Sequence, residues 1–135
     1  MLDVYVRTAA LLIVAWLFGG MLLFSAGFAA FLFKNLPPAE ARVLIRKVFP
    51  SFYLFVILLA GLAMALFWST DSFSAALMAI IVLSTSAGRQ LLMPAINKAT
   101  DLGLRKRFVW LHGASVILTL GHIFIAAVVL SRAVN

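Results

Sequence analysis

Two histidines, His112 and His122, are the side chains of this sequence best suited to proton transfer or metal binding. They are the only histidines in the chain, and both lie in the apolar run WLHGASVILTLGHI at positions 110–123. Imidazole titrates near neutral pH and is the commonest metal ligand among side chains. Three roles are therefore open: a haem or metal ligand, a proton path, or a hydrogen bond that holds helices together.

The spacing of the polar residues in this run places both imidazoles on one face of a helix. At about 100° per residue, a single stripe contains His112, Ser115, Thr119 and His122. A polar stripe facing lipid is costly, so we expect it to face the bundle interior, a partner protein or a hydrated cavity. Along the helix axis the two rings are about 15 Å apart, which excludes one metal ion shared by both.

A haem or metal site would need ligands that the two histidines alone do not supply. The chain has no cysteine and no third histidine, so a haem iron would need a methionine or a second chain as its other axial ligand. We therefore expect no cofactor, with haem b or a metal ion at His112 or His122 as the alternative. We expect His122 to bond a hydroxyl of a neighbouring helix, such as one of Ser84, Thr85, Ser86 and Ser25.

The composition is that of a membrane protein. Hydrophobic residues make up 65% of the 135 residues and charged residues only 11%, against about a quarter charged in soluble domains. The net charge of +7 does not indicate nucleic-acid binding, because the basic residues flank apolar runs. The four acids lie outside those runs, so no carboxylate pair is available for buried acid–base chemistry, and no enzyme is predicted.

Four apolar runs predict an all-α, antiparallel four-helix transmembrane bundle in a single domain covering residues 1–135. A bilayer core needs about 20 helical residues, and no strand pattern capable of closing a barrel is present. The first run is too long for a signal-peptide core and is interpreted as a retained span. The predicted spans are 8–33, 50–70, 72–93 and 108–131.

The basic residues predict the orientation of the bundle. Eight of the 11 Lys and Arg residues lie between the first and second spans or between the third and fourth, and Arg89 lies near the same end of the third span. The positive-inside rule places these two loops in the cytoplasm and both termini in the periplasm. We expect anionic lipid headgroups or a partner to contact the following residues: Arg42, Arg46, Lys47, Arg89, Arg105, Lys106 and Arg107.

Proline, glycine and capping residues predict where helices begin and end. The segment PPAEARVLIRKVFP is amphipathic and bounded by prolines, which predicts a short cytoplasmic helix between the first two spans. Pro94 and Gly103 should interrupt any continuous helix in the second basic loop. Asp71 or Ser72 should cap the third span.

Small residues recur at a spacing of four, as in Ala15 with Gly19 and Gly61 with Ala65. Such pairs let helix backbones approach closely in lipid. They predict packing within the bundle, within a homo-oligomer, or against a larger membrane complex, and spacing alone does not separate these.

The segment FGGMLLFSAGFAAFLFKNLPPAEARVLIRKVFPSFY resembles the first hairpin of the transmembrane protein 205-like family, known in bacteria as domain of unknown function 4149. MPAINKA and FVWLHGASVIL are similar to later segments of that family. The matching residues are Gly19, Gly20, Phe49, Pro50, Pro94, Asn97, His112 and Ser115. Family members often carry a basic residue soon after the proline, where this chain has Ala95-Ile96. The resemblance implies four helices in a bacterial inner membrane and no established reaction.

These observations favour a non-catalytic accessory or scaffolding subunit that packs against itself or a larger membrane complex. The first alternative is a haem- or metal-handling protein that uses His112 or His122, because the chain is also distantly similar to four-helix families of that kind. The second is a small-solute or proton permease that depends on Arg89 or His122.

Overall fold

The computed structural model describes residues 1–134, which fold as helices and their short connections, without a strand. Four helices are each long and apolar enough to span a membrane, which confirms the all-helical expectation. Their bounds are Leu2–Asn35 for α1, Pro38–Phe67 for α2, Ser72–Asp101 for α3 and Arg105–Arg132 for α4. The predicted second span extended to residue 70, but α2 ends at Phe67 and a turn follows.

The core is built from small and medium apolar side chains of all four helices. Its members include Ala10, Val14, Leu17, Met21, Val56, Ala60, Ala63, Phe67, Ala75, Met78, Ile81, Ala126 and Val129. The opposite side of each helix is apolar but exposed, as at Trp16, Leu83 and Ile117, whose exposures are 65%, 70% and 73%. A large apolar exterior of this kind marks a surface that meets lipid or other proteins.

The short cytoplasmic helix expected between prolines does not form as a separate element. Its residues are the beginning of α2, which starts at Pro38 and passes through Pro50 without a break. Proline removes one backbone hydrogen bond, a loss that membrane helices tolerate when neighbours support them. Next to Pro50, the apolar side of α2 packs against Phe24 of α1. Its ring stacks on Phe52 with centroids 4.0 Å apart and meets Phe49 edge-on at 5.5 Å.

The expected interruption at Pro94 is also wrong, because α3 continues to Asp101. A π-helical turn, Gly88–Leu92, immediately precedes the proline, and Met93 donates its N–H to the carbonyl of Gly88. This wider turn rearranges the backbone bonds just where Pro94 has no N–H to offer. Gly103 does separate α3 from α4, with φ at 64°, a conformation that glycine adopts without strain. A second π-helical turn, Leu23–Phe28, lies within α1.

Asp71 caps α3, one of the two residues expected to do so. Its carboxylate accepts hydrogen bonds from the Ser74 backbone N–H at 3.1 Å and from the Ser74 hydroxyl at 2.6 Å. Arg132 at the end of α4 lies 3.7 Å away. The Ser74 hydroxyl bond is the main reason that the pKa of Asp71 lies below its ordinary value, and Arg132 and Arg7 lower it further. This contact also joins the end of α4 to the start of α3.

Candidate functional site

The polar stripe of α4 faces different surroundings along its length. Ser115 and His122 are buried, with 6% and 5% exposure, and Thr119 is half-buried. The Ser115 hydroxyl donates to the His112 carbonyl and the Thr119 hydroxyl to the Ser115 carbonyl, at 2.8 and 3.0 Å. These two hydroxyls are therefore satisfied within the helix, which leaves the imidazoles as the groups that can reach beyond it.

His122 is held by two hydroxyls of α3. Its Nε2 lies 2.7 Å from the Ser84 Oγ, and its Nδ1 lies 3.5 Å from the Thr85 Oγ1. Ser84 is also within 2.6 Å of the Ile80 carbonyl, to which its hydroxyl donates. A consistent network therefore has the proton on Nε2, donated to Ser84, with the Thr85 hydroxyl directed to Nδ1, a tautomer assigned from the partners. The other two hydroxyls considered bond within their own helices: Ser86 donates to the Val82 carbonyl and Ser25 to the Met21 carbonyl.

This arrangement disfavours His122 as a metal ligand. Both ring nitrogens are directed at hydroxyls, so an ion or haem would have to displace at least one bond. Within residues 1–134, no group of three His, Cys, Asp or Glu side chains is placed to hold a metal ion. The observed geometry instead joins α3 to α4, at a free energy of about 1 kcal/mol or less for each hydrogen bond in a membrane protein.

His112 is exposed, in contrast to His122. Its ring stacks on Phe108, one turn earlier in α4, with centroids 5.5 Å apart and planes 5° from parallel. His112 lines a cavity of about 890 Å³ that we call the basic cavity. It therefore faces open space bounded by other helices.

All four helices contribute to the basic cavity. It is lined by Phe33, Arg42, Val43, Ile45, Arg46, Phe49, Tyr53, Met93, Ile96, Asn97, Ala99, Thr100, Gly103, Arg105, Phe108, Val109, His112 and Ser115. Arginines and neutral polar groups share this lining with aromatic and aliphatic side chains, and no acid lines it. Its volume lies within the range of about 300–1,000 Å³ typical of small-molecule sites.

The basic residues predicted to meet headgroups fall into two sets. Arg42, Arg46 and Arg105 line the basic cavity, whereas Lys47, Lys106 and Arg107 are exposed at the same end without lining it. Arg46 makes a bidentate ion pair with Asp101, at 2.6 and 3.0 Å. Sequence reasoning missed this pair, because Arg46 and Asp101 are 55 residues apart and no local pattern links them.

Arg89 lies apart from these residues, in the π-helical turn of α3. Its side chain is half-buried, and its Nε is buried with no hydrogen-bond partner within residues 1–134. The expectation that Arg89 extends to the headgroups therefore applies at most to the end of its guanidinium.

The predicted small-residue contacts divide between the inside and the outside of the bundle. Gly61 lies between helices, since a Cβ there would be 4.0 Å from the Val82 side chain. Gly19 is exposed, and a Cβ there would have nothing within 4 Å. Its neighbour Gly20 is tightly packed, with Phe55 only 2.6 Å from the position of a Cβ. The spacing of small residues therefore identified close approaches in some places and free surface in others.

A second cavity, of about 730 Å³, lies between α1 and α2. Its lining consists of Trp16, Gly20, Leu23, Phe24, Gly27, Phe28, Phe31, Val48, Ser51, Phe52 and Phe55. No charged residue lines it, so nothing in its lining distinguishes an acyl chain from another apolar group.

A family model described as Domain of unknown function (DUF4149) matches residues 12–105. No curated protein and no solved structure matches the chain. The matched range begins within α1 and ends at the first residue of α4, so it includes most of the basic cavity's lining, while both histidines lie beyond it.

Proposed function

The chain belongs to the family described as Domain of unknown function (DUF4149). We propose that it is a non-catalytic accessory subunit located in a membrane. It packs against a second copy of itself or against a larger membrane complex. The narrower relation to the transmembrane protein 205-like family is part of this proposal. Four helices able to span a membrane support the multi-pass location.

The observation that carries the proposal is the outward-facing surface of α1. Ala15 and Gly19, which lie before the π-helical turn of α1, are both exposed, although small residues at this spacing normally mark places where helices touch. Trp16 beside them is 65% exposed. Interfaces between membrane helices combine small residues with larger neighbours that pack around them. This surface of α1 is therefore suited to another transmembrane helix.

The state of the acids supports a non-catalytic role. Asp71 is engaged at the start of α3 and Asp101 is paired with Arg46. Asp3 and Glu40, the other two acids of the chain, are exposed in separate helices. Acid–base catalysis needs groups with matched environments within reach of one substrate. These four carboxylates offer no such pair.

We further propose an antiparallel bundle in a bacterial inner membrane, with both termini in the periplasm and the basic cavity at the cytoplasmic side. Short connections at residues 36–37, 68–71 and 102–104 support the alternation of helix directions. So do the contacts between Asp71 and Arg132 and between Arg46 and Asp101. The excess of Lys and Arg near the basic cavity supports its cytoplasmic location.

Cross-linking in native membranes tests the accessory role, and the absence of cysteine makes single-cysteine variants clean reagents. We expect Gly19→Cys to form a disulfide-linked homodimer or a heterodimer identifiable by mass spectrometry. Ile117→Cys, equally apolar and 73% exposed on α4, is the matched control and should remain monomeric. Equal cross-linking of both variants, or none at Gly19, would contradict the proposal.

The two alternative functions give different results in the same preparation. A Soret band that disappears in His112→Ala or His122→Ala would establish a haem role in place of the accessory role. Solute or proton flux in liposomes that is lost in Arg89→Gln or His122→Ala would establish a permease. We expect neither.

A further inference from the structure

The basic cavity has a charge distribution that favours one class of ligand. Of its three arginines, Arg46 is neutralised by Asp101 at 2.6 Å. Within residues 1–134, Arg42 and Arg105 have no carboxylate within ion-pair distance. Two unpaired guanidinium groups at the edge of one cavity attract an anion. Their planar donor sets match the oxygens of a phosphate group particularly well.

Neutral polar side chains in the same cavity also have unused hydrogen-bonding capacity. Tyr53 is only 3% exposed, yet its hydroxyl has no hydrogen-bond partner within residues 1–134. The half-buried side-chain amide of Asn97 is likewise free of partners in this part of the chain. The Tyr53 hydroxyl is not sealed off, because within residues 1–134 the only buried side-chain polar atom without a partner is the Arg89 Nε. The tyrosine hydroxyl is therefore accessible from the cavity that Tyr53 lines. A ligand in the cavity would satisfy these donors.

The remaining lining is apolar and extends to the outer surface of the bundle. Phe49, Met93 and Phe108 form part of the inner wall. At the outer surface Phe33, Val43 and Val109 are 48%, 53% and 58% exposed. A small hydrated anion would leave these apolar walls facing water, whereas a hydrocarbon chain would cover them. The ligand should therefore carry both a phosphate and a chain.

We propose that the basic cavity binds one anionic phospholipid. The phosphate lies between Arg42 and Arg105, and Tyr53 and Asn97 donate hydrogen bonds to headgroup or ester oxygens. The acyl chains leave along the exposed apolar side chains. The position of the cavity near the ends of all four helices suits this assignment, because headgroups lie at that depth in a bilayer. The inference goes beyond the accessory role and holds whether or not the chain has a protein partner.

Native mass spectrometry of the detergent-solubilised full chain tests the proposal. The probes are dioctanoyl phosphatidylglycerol, dioctanoyl phosphatidylcholine and inorganic phosphate. We expect one tightly bound phosphatidylglycerol, weaker binding of phosphatidylcholine, and no displacement of the lipid by an equal concentration of phosphate. Equal binding of the two lipids, or displacement by phosphate at lipid-like concentrations, would overturn the proposal.

Charge-matched variants separate a site from general attraction. Arg42→Gln with Arg105→Gln should weaken phosphatidylglycerol binding about tenfold, the loss expected when two solvent-exposed ionic contacts are removed. Lys106→Gln with Arg107→Gln removes the same charge at the same end without touching the cavity lining, and should change affinity by about twofold at most. An equal loss of phosphatidylglycerol affinity in both double variants would show that the lipid is attracted by the overall surface charge, and would contradict the proposal.

Tyr53→Phe tests lipid binding in the cavity with little change in packing, so it remains informative if the arginine variants fold poorly. Tyr53→Phe keeps the ring and removes a hydroxyl that has no protein partner. We expect unchanged or slightly higher thermal stability without added lipid, because no hydrogen bond is lost. We also expect lipid binding to weaken by about threefold, the effect of losing one neutral hydrogen bond. Unchanged affinity would contradict the assigned role of Tyr53.

Discussion

His122 and His112 project from the same face of α4, yet the two imidazoles have different neighbours. His122 is buried against the hydroxyls of Ser84 and Thr85, whereas His112 is exposed beside the basic cavity and stacks only on Phe108. Helix periodicity determines which face a residue occupies. Which group it meets there depends on how closely the next helix approaches at that depth. The same helical spacing therefore gives His122 a hydrogen bond between helices and places His112 in the lining of a cavity.

The largest predicted effect is the difference between His122→Ala and His112→Ala. Removing the buried imidazole leaves a void and deprives Ser84 and Thr85 of their partner, which should lower the free energy of unfolding by about 2–3 kcal/mol. His112→Ala, at an exposed position, should cost about 0.5 kcal/mol or less. Denaturation in mild detergent, followed by circular dichroism, measures both. Similar losses would remove the contrast between the two histidines.

The second largest predicted effect is the difference in stability between alanine substitutions at two adjacent glycines of α1, one packed and one exposed. Gly20→Ala would place a methyl group 2.6 Å from the Phe55 ring, so we expect a loss of about 1–2 kcal/mol as that ring shifts. Gly19→Ala meets nothing within 4 Å and should be neutral or slightly stabilising, since alanine is the better helix former. The same unfolding assay applies. A loss at Gly19 as large as that at Gly20 would mean that the α1 surface is already covered.

Comparing Ser84→Ala with Ser86→Ala tests which hydroxyl is hydrogen-bonded to the His122 imidazole. Ser84 accepts from the imidazole, so its removal leaves Nε2 unpaired and should cost about 1 kcal/mol. Ser86 bonds only within its own helix, so Ser86→Ala should change stability by about 0.3 kcal/mol or less. In addition, the two variants should differ in the His122 ring-nitrogen chemical shifts measured by NMR, with only Ser84→Ala moving them. Equal shifts in both would point to another partner.

The smallest effect concerns pH at the end of the bundle that contains Asp71. Because the folded state lowers the pKa of Asp71, its ionised form contributes stability at neutral pH. That contribution is complete above the unfolded pKa of about 4 and is lost as the pH falls through the lower folded value. Asp71→Asn keeps a capping oxygen but cannot ionise. Between pH 7 and pH 3, the free energy of unfolding of this variant should therefore fall by about 0.5 kcal/mol less than that of the parent. Parallel pH profiles would contradict this account.

The sequence predicted the parts of the fold that depend on local pattern. Four apolar runs predicted four potential spans, and Asp71 was one of two residues expected to cap α3. Helical periodicity predicted the shared face of His112 and His122, and Ser84 and Thr85 were two of the four hydroxyls expected as partners of His122. Each of these features depends on residues close together in one segment, or on the requirement that buried polar groups find partners.

Other features depend on contacts between distant segments, and the sequence did not predict them. Pro50 was expected to end a helix, but α2 is continuous through it and packs against Phe24 of α1 at this point. The ion pair between Arg46 and Asp101 and the basic cavity likewise require helices to be positioned in three dimensions. The π-helical turn before Pro94 has no sequence signature beyond the proline itself. Local preference was overridden in each case by the tertiary environment.

The π-helical turn of α3 also changes which face of the helix each later residue occupies. A turn that accommodates one extra residue rotates everything after it by roughly 100° relative to an uninterrupted helix. Side chains before Gly88 are therefore aligned with the interior of the bundle, and those after Leu92 are aligned with the basic cavity by a separate register. Deleting that extra residue should let the turn close as an ordinary α-helical turn and leave Asn97 near the arginines. Converting the turn to a regular α-helix without a deletion would instead rotate Asn97 away from them.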